Sequence, residues 1–395
     1  MATVRLRSGH VQPIWAGHPW VFKQAIDEID GAPGPGDIVT VMDARGQFIG
    51  KGYWSPKSAI PVRILARRED ETLDSAFLGR RLDEAAKWRR ELLDLPNAET
   101  TGFRLVHAEG DELAGLIVDV FDQVAVVQLL TAGMKRRETD IFGHVARVTG
   151  AKTIVEVASE RMQRLEGFEA TTGIVRGPDV DRLKFRERGF DLDVPLSITQ
   201  KTGYYFDQRE NRARVETLAK GRNVLDAYSF VGGFSLAAAR GGAESVIAMD
   251  SSAPAIATGA AIAAHHGYGD LIEFQKGDVK RALPELNQKG TRFGMVIIDP
   301  PKLAPTSRHL DAGRKAYRRL NAAALRLVEE DGLLVTCSCS GAVKSHDFLR
   351  TIGLAAKDAR RRVSLIYQGH QGPDHPTPAA FPEGRYLKCA ILRVL

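Results

Sequence analysis

The chain has 395 residues, of which 44% are hydrophobic and 26% charged, a globular balance that excludes a largely disordered or fibrous polymer. No run approaches the roughly 18 apolar residues of a membrane span, and no apolar stretch of secretory length follows Arg5 and Arg7. The net charge of +6 is uneven: residues 1–102 balance, 103–198 carry three acids in excess, and 199–395 hold 28 basic against 19 acidic residues. A polyanion is expected to meet that C-terminal half.

Taken in chain order, residues 1–66 read as short strands broken by turns. Gly31-Ala-Pro-Gly-Pro-Gly36 and Asp43-Ala-Arg-Gly46 punctuate Ile38–Met42 and Ile60–Leu65, which suits a small β-barrel. Apolar residues recur at helical spacing from Asp74 to Leu93. Residues 114–121 and 124–130, joined by Asp122-Gln123, predict a β-hairpin. A helix is expected over about 134–148, then strands at 153–157 and 173–175, and another at 190–196. From about residue 205 strands and helices alternate, with strands at 224–228, 245–249, 272–275, 295–298 and 333–336. That rhythm predicts an open parallel sheet with helices on both faces.

Asp226-Ala-Tyr-Ser-Phe-Val-Gly-Gly233 is a strand end, a glycine turn and a helix start. It lacks the Gly-x-Gly-x-x-Gly that holds a pyrophosphate at a helix N-terminus, and an acid at the strand end disfavours phosphate and suits a cationic ligand. Asp250, ending the next strand, is placed to accept ribose hydroxyls, and Asp278, ending the third, to accept from an adenine amine. The competing reading of each acid alone is a helix N-cap. Three in register, without a phosphate cradle, resemble the S-adenosylmethionine site of class I methyltransferases. Tyr228, Phe230, Gly232, Ser251 and Asp299 complete the expected cofactor-binding set.

Asp299-Pro-Pro-Lys302 forms a rigid turn after the fourth strand, of the kind with which nucleic-acid methyltransferases grip a flipped base. Lys302 stands where amine methylation would want a stacking aromatic. Methylation of pyrimidine C5 instead needs a thiolate, because C5 becomes nucleophilic only after a thiolate adds to C6. Cys337 and Cys339 are two apart, so strand parity does not choose between them, and Lys302 or Lys344 is a candidate for activating the thiol. Both cysteines could equally be small buried apolar residues, and a Cys-x-Cys metal site lacks matching ligands. Three clustered cysteines are too few for a disulfide framework, so a reducing cytoplasm is expected.

Residues 200–212 (Gln-Lys-Thr-Gly-Tyr-Tyr-Phe-Asp-Gln-Arg-Glu-Asn-Arg), Asp299-Pro-Pro-Lys302, Ser338-Cys-Ser-Gly341 and Pro382–Lys388 (Pro-Glu-Gly-Arg-Tyr-Leu-Lys) resemble the ribosomal large-subunit methyltransferase I family. These are S-adenosylmethionine enzymes that form 5-methylcytosine in 23S rRNA. Arg7-Ser-Gly-His10, Gly17–Phe22, Arg104–Asp111 and Gly115–Asp119 extend the likeness over nearly the whole chain. The resemblance implies a PUA-like RNA-binding barrel (1–72), a small α+β domain (73–198) and a Rossmann-like α/β methyltransferase domain (199–395). It implies Cys339 as nucleophile, with Cys337 as fallback, and a homodimer; Asp299 is the candidate proton-handling partner, and no metal or membrane partner is expected. The remaining alternatives are an RNA methyltransferase acting on a purine or exocyclic amine, and a non-catalytic RNA-binding assembly factor.

Overall fold

The computed structural model describes residues 2–199 and 202–395, so Gln200 and Lys201 of the quoted motif lie outside the described residues. The chain forms two compact units: Met1–Leu192 with Thr199–Phe206 and Pro373–Gly384, and Asp193–Ile198 with Asp207–Gly372 and Arg385–Leu395.

The first unit opens with a six-stranded sheet of short strands, antiparallel except for the parallel pairing of Ala2–Leu6 with Ile38–Met42. Its core is Val4, Leu6, Val21, Val39, Val41, Val62 and their neighbours. The helix Ser75–Leu93 starts where Asp74 accepts from the Phe77 N–H (2.8 Å), as the periodicity predicts. The predicted hairpin is present as Leu116–Phe121 and Val124–Leu129, with Asp122 at φ +52° in the turn. These strands sit in a five-stranded sheet whose edge, Gly102–His107, carries no signal in the reading above. The helix expected over 134–148 is two pieces, Ala132–Lys135 and Glu138–Thr149. Thr131 caps the first piece through the Met134 N–H.

The second unit carries a seven-stranded sheet. Its parallel strands are Asn223–Ala227, Ser245–Asp250, Ile272–Lys276, Phe293–Ile298 and Val328–Ser338. Lys388–Val394 pairs antiparallel with the last of these, and Val363–Gly369 closes the edge. Running from Ile272–Lys276, the sheet steps inward to Asn223–Ala227 and only then to Phe293–Ile298. The chain order therefore reverses between those two strands, and the crevice outside their carboxyl ends is the ligand position of such sheets. Phe293–Ile298 is buried throughout, as a central parallel strand must be.

Candidate active site

Asp226, Asp250 and Asp299 come together at that reversal. Asp226 is 1% exposed. One of its oxygens accepts from Ser235 Oγ (2.6 Å), and the other has no hydrogen-bond partner. Burial, with the Asp299 and Asp250 charges, pushes its carboxyl up to about 7.

Asp250 organises the turn. Its oxygens accept from the N–H groups of Phe230 (3.0 Å) and Ser252 (2.9 Å). Those bonds accompany a backbone with Tyr228 at φ +67° and Phe230 at +52°, a conformation that non-glycine residues rarely adopt. Gly232 follows at φ +82°, and a Cβ there would lie 2.8 Å from the Phe274 ring, so this position requires glycine. The Tyr228 hydroxyl is buried without a partner, and burial with the Asp278 and Asp250 charges pushes it up to about 12. Ser251 is exposed beside Asp250.

Asp278 departs from expectation. The third strand ends at Lys276, and Asp278 caps the helix Val279–Gln288 by accepting from the Lys280 N–H (3.0 Å). Its second oxygen leaves it able to take a ligand as well.

Asp299 accepts from Gln208 Nε2 (2.9 Å). The spacing Asp207-Gln-Arg-Glu210 suggests a capping box, but none forms. Asp207 instead accepts from the Tyr386 hydroxyl (2.6 Å), and the helix Arg209–Leu218 starts without a side-chain cap. Tyr204 and Phe206, within the quoted 200–212 motif, pack with Phe121 and Phe185 in an aromatic cluster wholly inside the first unit.

The two cysteines have different surroundings. Cys337 is fully buried, opposite Cys389 in the antiparallel register. The Cys389 sulfur, burial and the Asp299 charge hold its thiol well above the usual range. The strand ends at Ser338, and Cys339 lies beyond it, partly exposed. The adjoining loop is pinned on two sides. Ser340 Oγ meets the Tyr317 hydroxyl (3.0 Å) and accepts from the Ala304 N–H (3.0 Å), while Lys388 Nζ donates to the Ser340 carbonyl (2.7 Å).

Lys302 and Lys344 are both exposed. Gln208, Tyr317 and Lys388 are the polar residues that the sequence reading did not single out, although Gln208 and Lys388 lie within quoted motifs. Arg314 and Arg318 lie at i,i+4 on the helix Leu310–Leu325, where like charges repel. Arg314 pairs with Asp347 (2.8 Å) and Asp311 (3.6 Å), and Arg318 pairs with Asp358 (2.6 Å). The i,i+4 repulsion is thus compensated within the fold.

An orphaned buried carboxylate oxygen, a turn that tolerates only glycine, and acids in place of a phosphate cradle fit a cationic adenosyl cofactor. Among the described residues no group of three or more His, Cys, Asp or Glu is arranged to hold a metal, and no helix is long and apolar enough to cross a membrane.

Comparisons with known proteins identify the domains and the family. A family model described as a PUA-like domain matches residues 4–67, and one described as S-adenosylmethionine-dependent methyltransferase matches residues 104–380. The chain is 36% identical to the ribosomal RNA large subunit methyltransferase I of Alteromonas mediterranea, over 100% of this chain and 99% of that one. It is 35% identical to the protein of that name from Pseudoalteromonas translucida, with the same coverage. A solved Streptococcus mutans structure, titled as a candidate SAM-dependent methyltransferase, aligns over the whole of both chains with a TM-score of 0.84 at 18% identity. A methyltransferase structure complexed with SAH aligns equally fully, with a TM-score of 0.86 at 17% identity. At these identities the two structures establish the fold alone.

Proposed function

The chain belongs to the ribosomal RNA large subunit methyltransferase I family of S-adenosylmethionine-dependent enzymes, and from that premise we propose that it methylates C5 of a cytosine in 23S rRNA through a covalent bond between Cys339 and C6. Asp226, Asp250, Asp278 and Asp299, with Tyr228, Phe230, Gly232 and Ser251, would hold the cofactor. S-adenosylmethionine supplies, when bound, an electrophilic sulfonium methyl for the activated carbon.

The Cys339 thiolate adds to C6, and the ring electrons move to give C5 enamine character. Once C5 carries the methyl, Asp299, oriented by Gln208, removes the C5 proton. The C6–S bond then breaks and its electron pair returns to sulfur. The observation that carries this reading is the partial exposure of Cys339 at the carboxyl end of the sheet, against the full burial of Cys337 and Cys389.

The PUA-like domain and the cationic excess of residues 199–395 support rRNA as the substrate, in the cytoplasm where ribosomes assemble. The homodimer implied by the resemblance is tested by sedimentation. A transcript containing 5-fluorocytidine tests the chemistry, because fluorine cannot leave C5 as a proton does and the enzyme stays attached. A denaturant-stable adduct is expected with the native protein and with Cys337→Ala, and none with Cys339→Ala. Methylation of unmodified RNA by Cys339→Ala would sink the proposal in favour of an amine acceptor. Absence of cofactor binding in calorimetry would favour a non-catalytic assembly factor.

A further inference from the structure

Lys388 opens the strand Lys388–Val394 directly opposite Ser338, while Cys389 faces Cys337. Residues directly opposite share a face, so the register puts the two buried cysteines on one side of the sheet and Lys388 on the other. Lys388 is 3% exposed. An ammonium has three N–H donors. Two of them go to neutral acceptors, the carbonyls of Ser340 (2.7 Å) and Tyr386 (2.7 Å). Among the described residues no carboxylate pairs with it. A buried cation without a counter-charge is costly, and the anionic group that acts on Lys388 is the sulfur of Cys339.

We propose that Lys388 is a positioning residue of the reaction: its ammonium ties the Ser340 carbonyl, next to Cys339, to the Tyr386 carbonyl of its own segment and provides the positive charge facing the ionised sulfur. This rests on the reading of Cys339 as the nucleophile. The charged and titratable groups around the sulfur and the ammonium come from three elements. Lys388 approaches from its strand and Tyr317 from the helix Leu310–Leu325, while Lys302, after the Asp-Pro-Pro turn, acts on Lys388 itself. Burial raises the Tyr317 phenol, so it stays neutral. Burial brings the Lys388 ammonium down to about 8, the nearby sulfur opposes that fall, and the group stays mostly protonated at neutral pH. The thiol proton leaves to solvent as the thiolate forms. When the C6–S bond later breaks, the electron pair returns to sulfur, and Lys388 keeps its proton throughout.

Alkylation by iodoacetamide, read at Cys339 by peptide mass spectrometry across pH and without RNA, reports the thiolate directly. The buried Cys337 and Cys389 serve as internal controls. In the native protein the half-maximal rate is expected below the ordinary thiol value of about 8.5. Lys388→Met keeps the length of the stem and removes the charge. It should raise that midpoint by about one unit or more, a tenfold loss of alkylation rate at neutral pH, and Lys388→Arg should restore most of the shift. A native midpoint at or above the ordinary value overturns the proposal even if Lys388→Met does not fold, and so does a folded Lys388→Met whose profile superimposes on the native one. Failure of the fluorinated transcript to trap the enzyme, with the alkylation shift intact, would remove the cytosine reading and leave this coupling standing. Trapping with an unmoved midpoint would do the reverse.

Discussion

Both units bury charge, but they treat it differently. In the first, Arg89 and Asp111 are almost wholly buried and doubly bonded, and Arg89 also donates to the carbonyls of Asp374 (2.9 Å) and Arg104 (3.1 Å). Arg104 and Asp119 form a second such pair, and Thr202 adds a donor to Asp119. His107, its ring tilted against that of His375, is held well below its usual value by burial and so stays neutral. In the second unit Asp226 is buried with one hydroxyl, and Lys388 with two carbonyls. Paired buried charges are a structural arrangement whose cost is largely met within the fold. Buried charges left short of a counter-ion are the signature of a site waiting for a ligand or a reacting group. Asp374-His-Pro376, which reads from sequence as a simple turn, falls in the first class. Asp374 is fully buried and accepts from the Arg104 N–H (3.0 Å).

The contrast breaks most visibly at the proposed nucleophile. Cys339→Ala should lower methyl transfer by roughly a thousandfold or more, as removal of a covalent catalyst does, while Cys337→Ala, a buried packing change, should leave turnover within about threefold and lower stability. Single-turnover methylation of rRNA decides, and equal losses would erase the distinction between the two thiols. Within the first unit, Asp111→Ala leaves the Arg89 guanidinium buried and unpaired, at an expected cost of about 3–5 kcal/mol in urea unfolding. The double replacement Arg89→Met with Asp111→Leu should recover most of that loss, since a pair serving structure alone can be exchanged for apolar packing. If the double variant stays as unstable as the single one, the network does more than hold the fold.

Asp226→Asn inverts the expectation. The folded carboxyl titrates near 7 against an ordinary value near 4, so the native state binds the extra proton between those limits. Its stability is complete below the lower value and declines as pH rises through the upper one, by up to about 4 kcal/mol. The neutral asparagine escapes that penalty. The variant should unfold at higher urea than the native protein at pH 8 and at equal urea at pH 4, while calorimetry shows cofactor affinity down tenfold or more. A variant destabilised at both pH values would put Asp226 with the structural charges.

Sequence made the frame of this division readable and left its contents hidden. Alternating strands and helices placed Asp226, Asp250 and Asp299 at one end of the sheet, because parallel strands finish on the same side whatever lies between them. The antiparallel pair Val363–Gly369 and Lys388–Val394 broke that rhythm. Leu365 and Ile366 of the edge strand are exposed, so no alternation announces it, and Lys388–Val394 is almost uniformly buried. Arg182–Glu187 does alternate, with Leu183 and Phe185 inward, but charged residues at four of its six positions mask it. The partners that brace the proposed site are distant in sequence: Gln208 reaches Asp299 across 91 positions, and Lys388 reaches Ser340 across 48. No local pattern encodes such meetings. The choice between Cys337 and Cys339, open on parity, turns on the strand stopping at Ser338.

The smallest expected effect lies on the surface, where the same contrast between matched and unmatched charge should persist in weaker form. Arg318 is partly exposed and matched by Asp358 (2.6 Å), and an exposed pair of this kind adds little to folding. Lys315 and Arg319 lie on the same helix, exposed and without an acidic partner among the described residues. Each phosphate contact releases counterions and steepens the salt dependence of binding by about one unit per charge. Lys315→Ala with Arg319→Ala should therefore flatten the slope of log affinity for rRNA against log salt by about one to two units. Arg318→Ala, which also frees Asp358 to repel phosphate, should weaken binding with a slope change below one unit. Matching slopes for the two variants would show that pairing within the fold does not silence a surface arginine, and would confine the distinction to the interior.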